Sequence, residues 1–119
     1  DVYKRQVRRF CDGEDVELQP QQILYAEMSA RKVCLHLQGA ERDLLYTTAT
    51  MADLADLLEN HGFVRTHKSI LVNMEHIRDL QSTRLYLRDG TELPVSSHTA
   101  SAVRKIYTQW RSAKKWVIG

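Results

Sequence analysis

The chain has 119 residues, 43% of them hydrophobic and 27% charged, with a formal charge of +2, which suits one globular domain with a modest core. No apolar run approaches the roughly 20 residues that a bilayer-spanning helix needs. The charge is too close to balance to argue for nucleic acid by itself, so any such case rests on local clusters.

The first six residues, DVYKRQ, look foreign. Read back into codons, they end like a transposon adapter used in making sequencing libraries. Residues 1–6 are therefore expected to be translated adapter, with a native domain over 7–119 and an upstream domain lost at the junction. Without them the chain has 15 basic and 14 acidic side chains, a formal charge of +1. Cys11 and Cys34 lie far apart and form no CxxC pair, so both are expected to be free thiols in a reducing, cytoplasmic setting.

Residues 7–10 and 16–18 are short candidate strands around the turn signal Asp12-Gly13. Residues 21–28 read as a strand after Pro20, and 29–32 as a polar break. Val33, Leu35 and Leu37 then alternate with Cys34 and His36, as in a half-buried strand. Gly39 ends it, and 43–47 returns as its hairpin partner. Between 50 and 60 the period changes to that of a helix, with Met51, Leu54, Ala55, Leu57 and Leu58 on one face. Thr50 is its expected N-cap, Asp53 the capping-box partner and Gly62 the stop. One greasy side means that the helix packs on a sheet.

Apolar Phe63 and Val64 on one side and 70–72 on the other pin a short polar turn. Asn73 is expected to turn the chain into a further apolar run at 77–80. Residues 84–95 form a hairpin. A three-residue loop, Arg88-Asp89-Gly90, puts Leu85 opposite Leu93 and Leu87 opposite Thr91. It keeps the apolar residues on one face and gives Gly90 the left-handed position. Helical spacing returns with Val103, Ile106, Tyr107 and Trp110, with Ser96 or Ser97 as N-cap. The basic tail 111–119 is expected to fray. The fold class is mostly β: small stacked antiparallel sheets, one short helix at about 50–60 and a C-terminal helix at about 98–110.

Three turns share one character. Arg31 and Lys32 sit in the first, Arg65, His67, Lys68 and Ser69 in the second, and Ser96, Ser97 and His98 in the third, at the mouth of the final helix. A cationic group pinned by core residues is held rigidly enough to present donors to an anion, phosphate first among them. A helix N-terminus with serine hydroxyls and free amides suits an anion too, and Arg or Lys can also reach the acceptor edge of guanine. Singly, each is an ordinary solvated turn; three in one small β domain raise nucleic acid as a partner. Catalysis finds little support. His36, His61, His67, His76 and His98 include no i, i+4 pair, no Cys–Cys pair accompanies them, and Glu27 has no second carboxylate. No glycine-rich phosphate loop or GxSxG elbow is present. The chain is expected to be no enzyme and to need no metal or cofactor.

The order of these pieces resembles the LytTR DNA-binding domain of bacterial response regulators. The carrying residues are ILYAE at 23–27, FVRTHKSILVN at 63–73, HI at 76–77 and LYLRDGTELPVS at 85–96. The resemblance runs from about Val16 to Tyr107. It implies a mostly β domain that binds direct repeats in duplex DNA through loops entering successive major grooves, often with bending. Carried over, the base-reading positions fall on Arg31 (or Lys32, one residue out of register), Lys68 and His98. Many members place an arginine directly after the serine matching Ser96, where this chain has Ser97. Arg65, Ser69, Ser96 and Ser97 match phosphate contacts, whereas His67, Asn73 and Gly90 fit structural roles. The resemblance further implies transcription regulation in a two-component system, an upstream receiver domain and tandem or dimeric binding on DNA. Two rival readings are a protein-interaction β module whose cationic turns bind an acidic partner, and a single-stranded nucleic-acid binder. The second needs exposed aromatic platforms, but aromatics are only 8% of the chain, and Phe63, Tyr86 and Tyr107 read as packing residues.

Overall fold

The computed structural model describes residues 18–39 and 43–116, the last three of these by backbone alone. The candidate strand at 7–10, the Asp12-Gly13 turn, most of 16–18 and Cys11 lie outside the described residues.

A five-stranded antiparallel sheet in the order β3-β2-β1-β5-β4 forms the middle layer. Its strands are β1 (Ile23–Ser29), β2 (Lys32–Leu37), β3 (Leu44–Thr47), β4 (Phe63–His67) and β5 (Ile70–Asn73). Helix α1 (Met51–Leu58) covers one face. Leu54 and Leu58 pack there on Ile23, Ala26, Val33, Leu35, Leu37, Leu45, Phe63 and Leu71. The other face carries a second sheet, β6 (Ile77–Leu80), β7 (Arg84–Leu87) and β8 (Glu92–Pro94), together with helix α2 (Ala100–Trp116). Leu24, Tyr25, Val64, Ile70 and Val72 meet Ile77, Leu85, Leu87, Leu93, Val95 and Val103 in this second core. Each side chain fully buried here contributes about 2 kcal/mol.

Burial on both faces explains the continuous apolar runs. All four residues of β5 are buried, as expected of a central strand with no solvent side. In β1, Ile23 to Ala26 are all buried, although a regular strand alternates faces. Leu24 is an extra residue, since Ile23 pairs with Leu37 but Tyr25 with His36. This bulge sends Leu24 and Tyr25 to the same core. The expected strand at 21–28 starts at Ile23, because Pro20–Gln22 form a 3-10 turn.

The capping box on α1 is present: Thr50 Oγ1 accepts from Asp53 N at 3.0 Å and Thr50 N donates to the Asp53 carboxylate at 3.4 Å. A 3-10 turn, Glu59–His61, follows, and Gly62 ends it at φ +83°. In the β7–β8 hairpin Leu85 faces Leu93, Leu87 N donates to Thr91 O and Gly90 has φ +94°, as the three-residue loop requires. Thr91 N also donates to Asp89 Oδ1 at 2.9 Å, which holds the Asp89 carboxyl below its ordinary range.

Two expectations about α2 need correction. The helix does not end at about 110 but continues to Trp116; Arg, Ala and Lys are good helix formers, and no Gly or Pro intervenes. Its cap is neither Ser96 nor Ser97, because the first intrahelical acceptor is Thr99 O, bonded by Val103 N. Cys34 is a free, buried thiol. Burial, and then Glu27, pushes its pKa up, so the unreactive protonated form prevails.

Gly62 supplies a stability test. A Cβ there would stand 2.9 Å from Trp110 Nε1, and the backbone is left-handed. Gly62→Ala is expected to cost about 1–3 kcal/mol, read as a lower Tm in thermal denaturation.

Candidate nucleic-acid interface

Strand direction decides where the three cationic turns lie. β1 runs toward the Ala30-Arg31 turn and β5 leads away from the Lys68-Ser69 turn; the strands are antiparallel, with Glu27 opposite Ile70. Met28 N donates to Ser69 O at 2.9 Å, joining the bases of the two turns. On the far side of β4, Ser96 N donates to Thr66 O at 2.8 Å, bringing the third turn to the same end. The three turns form a row: first the β1–β2 turn, then the β4–β5 turn, then the loop before α2. Strand spacing near 4.8 Å puts the outer backbones of the row about 15–20 Å apart.

Arg31 and Lys32 are exposed at the first turn. Ser29 pairs with Lys32, which leaves Ala30 and Arg31 as a two-residue turn with φ +49° and +70°. Hairpins favour this geometry, but normally with Asn or Gly. Left-handed backbone costs a residue with a side chain roughly 1–2 kcal/mol. The sequence carried no Gly or Asn signal, so its reading missed this strain.

At the second turn Lys68 is exposed and its neighbours brace it. The Arg65 guanidinium donates to Lys68 O. His67 Nδ1 accepts from Ser69 N at 3.2 Å and from the Ser69 hydroxyl at 2.9 Å, which makes it the unprotonated ring nitrogen. His67 is therefore a turn cap, and the Ser69 hydroxyl proton is engaged inside the turn. Thr66 is an extra residue in β4, since Arg65 pairs with Leu71 but His67 with Ile70. Its fully buried carbonyl accepts both Ser96 N and, at 3.0 Å, the Thr99 hydroxyl.

At the third turn Ser97 and His98 are exposed and Ser96 is half-buried. Ser96 Oγ accepts from His98 N at 3.3 Å. The Thr99 hydroxyl donates to Thr66 O and Ser96 O. Among the described residues no side chain accepts from the amides of Ala100, Ser101 or Ala102, and α2 directs its positive end toward the row.

Asn73 lies at the opposite end of the sheet, 2% exposed. Its amide donates to Pro20 O at 3.2 Å and Ile23 O at 3.0 Å, and its carbonyl accepts from Glu75 N at 3.0 Å. Asn73 and Gly90 thus hold scaffold rather than the row. Glu27 has a partner that the sequence reading did not find: His36 Nε2 lies 2.7 Å from its Oε1. The His36 ring also stacks on Tyr25 at 4.0 Å. Burial first, then Glu27, raises the Tyr25 phenol to about 12.

Comparisons with known proteins identify the family. The profile of the LytTr DNA-binding domain matches residues 14–108. The sensory transduction protein LytT of Bacillus subtilis (strain 168) is 30% identical over 77 residues, covering 60% of this chain and 32% of that protein. The chain thus spans about a third of the length of that relative. A solved LytTr DNA-binding domain from Bacillus cereus superposes with a TM-score of 0.72 at 24% identity, covering 84% of this chain and 94% of that one; at that identity the likeness is one of fold.

The strained turn makes a prediction with two readouts of opposite sign. Arg31→Gly is expected to stabilise the fold by about 1 kcal/mol, raising Tm, while weakening duplex binding in an anisotropy titration.

Proposed function

The chain belongs to the LytTr DNA-binding domain family, and from that premise we propose that it binds double-stranded DNA sequence-specifically as part of a transcriptional regulator. The observation that carries this reading is the convergence of Arg31, Lys68 and His98 at one end of the central sheet, tied by Met28 N to Ser69 O and Ser96 N to Thr66 O. Arg31 or Lys32 reads bases from one end of the row and His98 from the other. Lys68 reads bases from the middle of the row. Arg65, Ser96, Ser97 and the free amides of α2 hold phosphates. Ser69 joins them by giving up its bond to His67.

The length of the row bears on the duplex. Successive major grooves lie about 34 Å apart, whereas the outer backbones of the row are about 15–20 Å apart. Long side chains extend that reach, and bending the duplex toward the protein closes the remainder. Bending also adds readout at base steps that the protein does not touch. The regulator acts in the cytoplasm, with a receiver domain upstream and tandem occupancy of direct repeats. A protein-interaction module remains the rival: both readings predict salt-dependent binding, and only sequence preference among duplexes separates them.

Selection of duplexes from a random pool is the deciding experiment. The expected outcome is a preferred site repeated at a fixed spacing; enrichment of no sequence would overturn the reading. On the selected duplex, Arg31→Ala and Lys68→Ala are each expected to remove roughly 1–3 kcal/mol of discrimination with the fold intact. Arg65→Ala should weaken all duplexes about equally and lower the salt slope by about 1. If residues 1–6 are translated adapter, deleting them leaves Tm unchanged; a marked fall would make that segment native.

A further inference from the structure

A second cationic cluster lies away from the row of turns. Arg78 on β6 and Arg104 and Arg111 on α2 line a groove of about 290 Å³, with the Thr108 and Ser112 hydroxyls on its helical side. All three arginines are exposed, and among the described residues none pairs with a carboxylate; the ion pairs there are His36–Glu27 and Arg84–Glu92. The one acid in the lining, Asp79, accepts from Gln81 Nε2 at 3.0 Å.

The arginines are arranged rather than scattered. Arg78 is an extra residue in β6, since Ile77 pairs with Leu87 but Asp79 with Tyr86. A bulge re-aims the side chain it carries, and the Arg78 guanidinium lies over the Tyr86 ring, 6.0 Å from its centroid. Arg111 lies over Tyr107 at 5.6 Å. Arg104 Nη2 reaches Leu80 O at 3.4 Å. Ring faces beneath two guanidiniums restrict their motion and leave their N–H edges free to meet planar oxyanions.

We propose that this groove docks an acidic segment of a partner protein, whose carboxylates sit between Arg78, Arg104 and Arg111. Position favours a protein over the bound duplex. The strand carrying Arg78 starts beside the Met74–His76 turn, which is bonded to Gly62 O and Gln21 O at the end opposite the row. Arg111 lies about 16 Å along the helix axis from Ala100, at 1.5 Å per residue. The groove thus lies on a flank of the molecule and the row at one end of the central sheet, which leaves the two surfaces free to take separate partners.

The test uses the whole chain, a fluorescent peptide of alternating Glu and Asp, and the duplex obtained by selection or, failing one, a random-sequence duplex. The expected result is salt-sensitive peptide binding that survives saturation with duplex. The triple variant Arg78→Gln, Arg104→Gln, Arg111→Gln should weaken the peptide roughly tenfold while duplex affinity stays within about twofold. If that variant has a lowered Tm, the single exposed change Arg111→Glu must still weaken the peptide. Displacement of the peptide by duplex would place it at the row and overturn the proposal. So would absent peptide binding, or peptide affinity unchanged in the variants. A matching fall in duplex affinity would mark the groove as a seat for bent flanking DNA and overturn it too.

Discussion

Strand β5 is buried on both sides, and the geometry of the row follows from that. Leu71 faces the core under α1, while Ile70 and Val72 face the second sheet. Asn73, at the end of the strand, bonds the carbonyls of Pro20 and Ile23. A strand held this way cannot slip by one residue without turning its apolar side chains to the wrong layer. Its neighbours are β1 and β4, so fixing β5 fixes both turns that precede and adjoin it. The polar ends are positioned by the same packing that stabilises the fold.

Irregularities supply what regular strands cannot. The bulge at Leu24 lets β1 feed two successive side chains into one core, and the bulge at Thr66 frees a buried carbonyl for the loop before α2. Without that carbonyl the third turn would have no direct backbone bond to the second. The bulge at Arg78 lies in the second sheet, where an arginine is turned onto an aromatic ring. Each extra residue thus serves a different demand: core filling, loop attachment or side-chain direction.

Much of the scaffold was legible where chemistry is local. Thr50 and Asp53 declare the start of α1, Gly62 its end, and the spacing of Leu85, Leu87, Leu93 and Val95 gives the hairpin register through Gly90. The cationic turns were equally visible, because Arg31, Lys68 and His98 stand in polar breaks between apolar runs. The bulges were not legible, since an extra residue exists only relative to a partner strand. The left-handed pair Ala30-Arg31 carries no Gly or Asn to announce it. The cap at Thr99 was hidden behind two serines that look better suited, because the Thr66 carbonyl that engages it is 33 residues away. The arginine groove joins residues 78, 104 and 111 only through the packing of α2 on the second sheet.

The row of turns is unevenly braced. The second and third turns share Thr66 O through two donors and carry their own internal bonds at Arg65, His67 and Ser96. Arg31 instead stands in a two-residue turn whose backbone both its members would rather leave. A strained turn costs less to displace than a braced one, so a load on this end of the sheet would be taken up at Arg31 before Lys68 or His98 gave way.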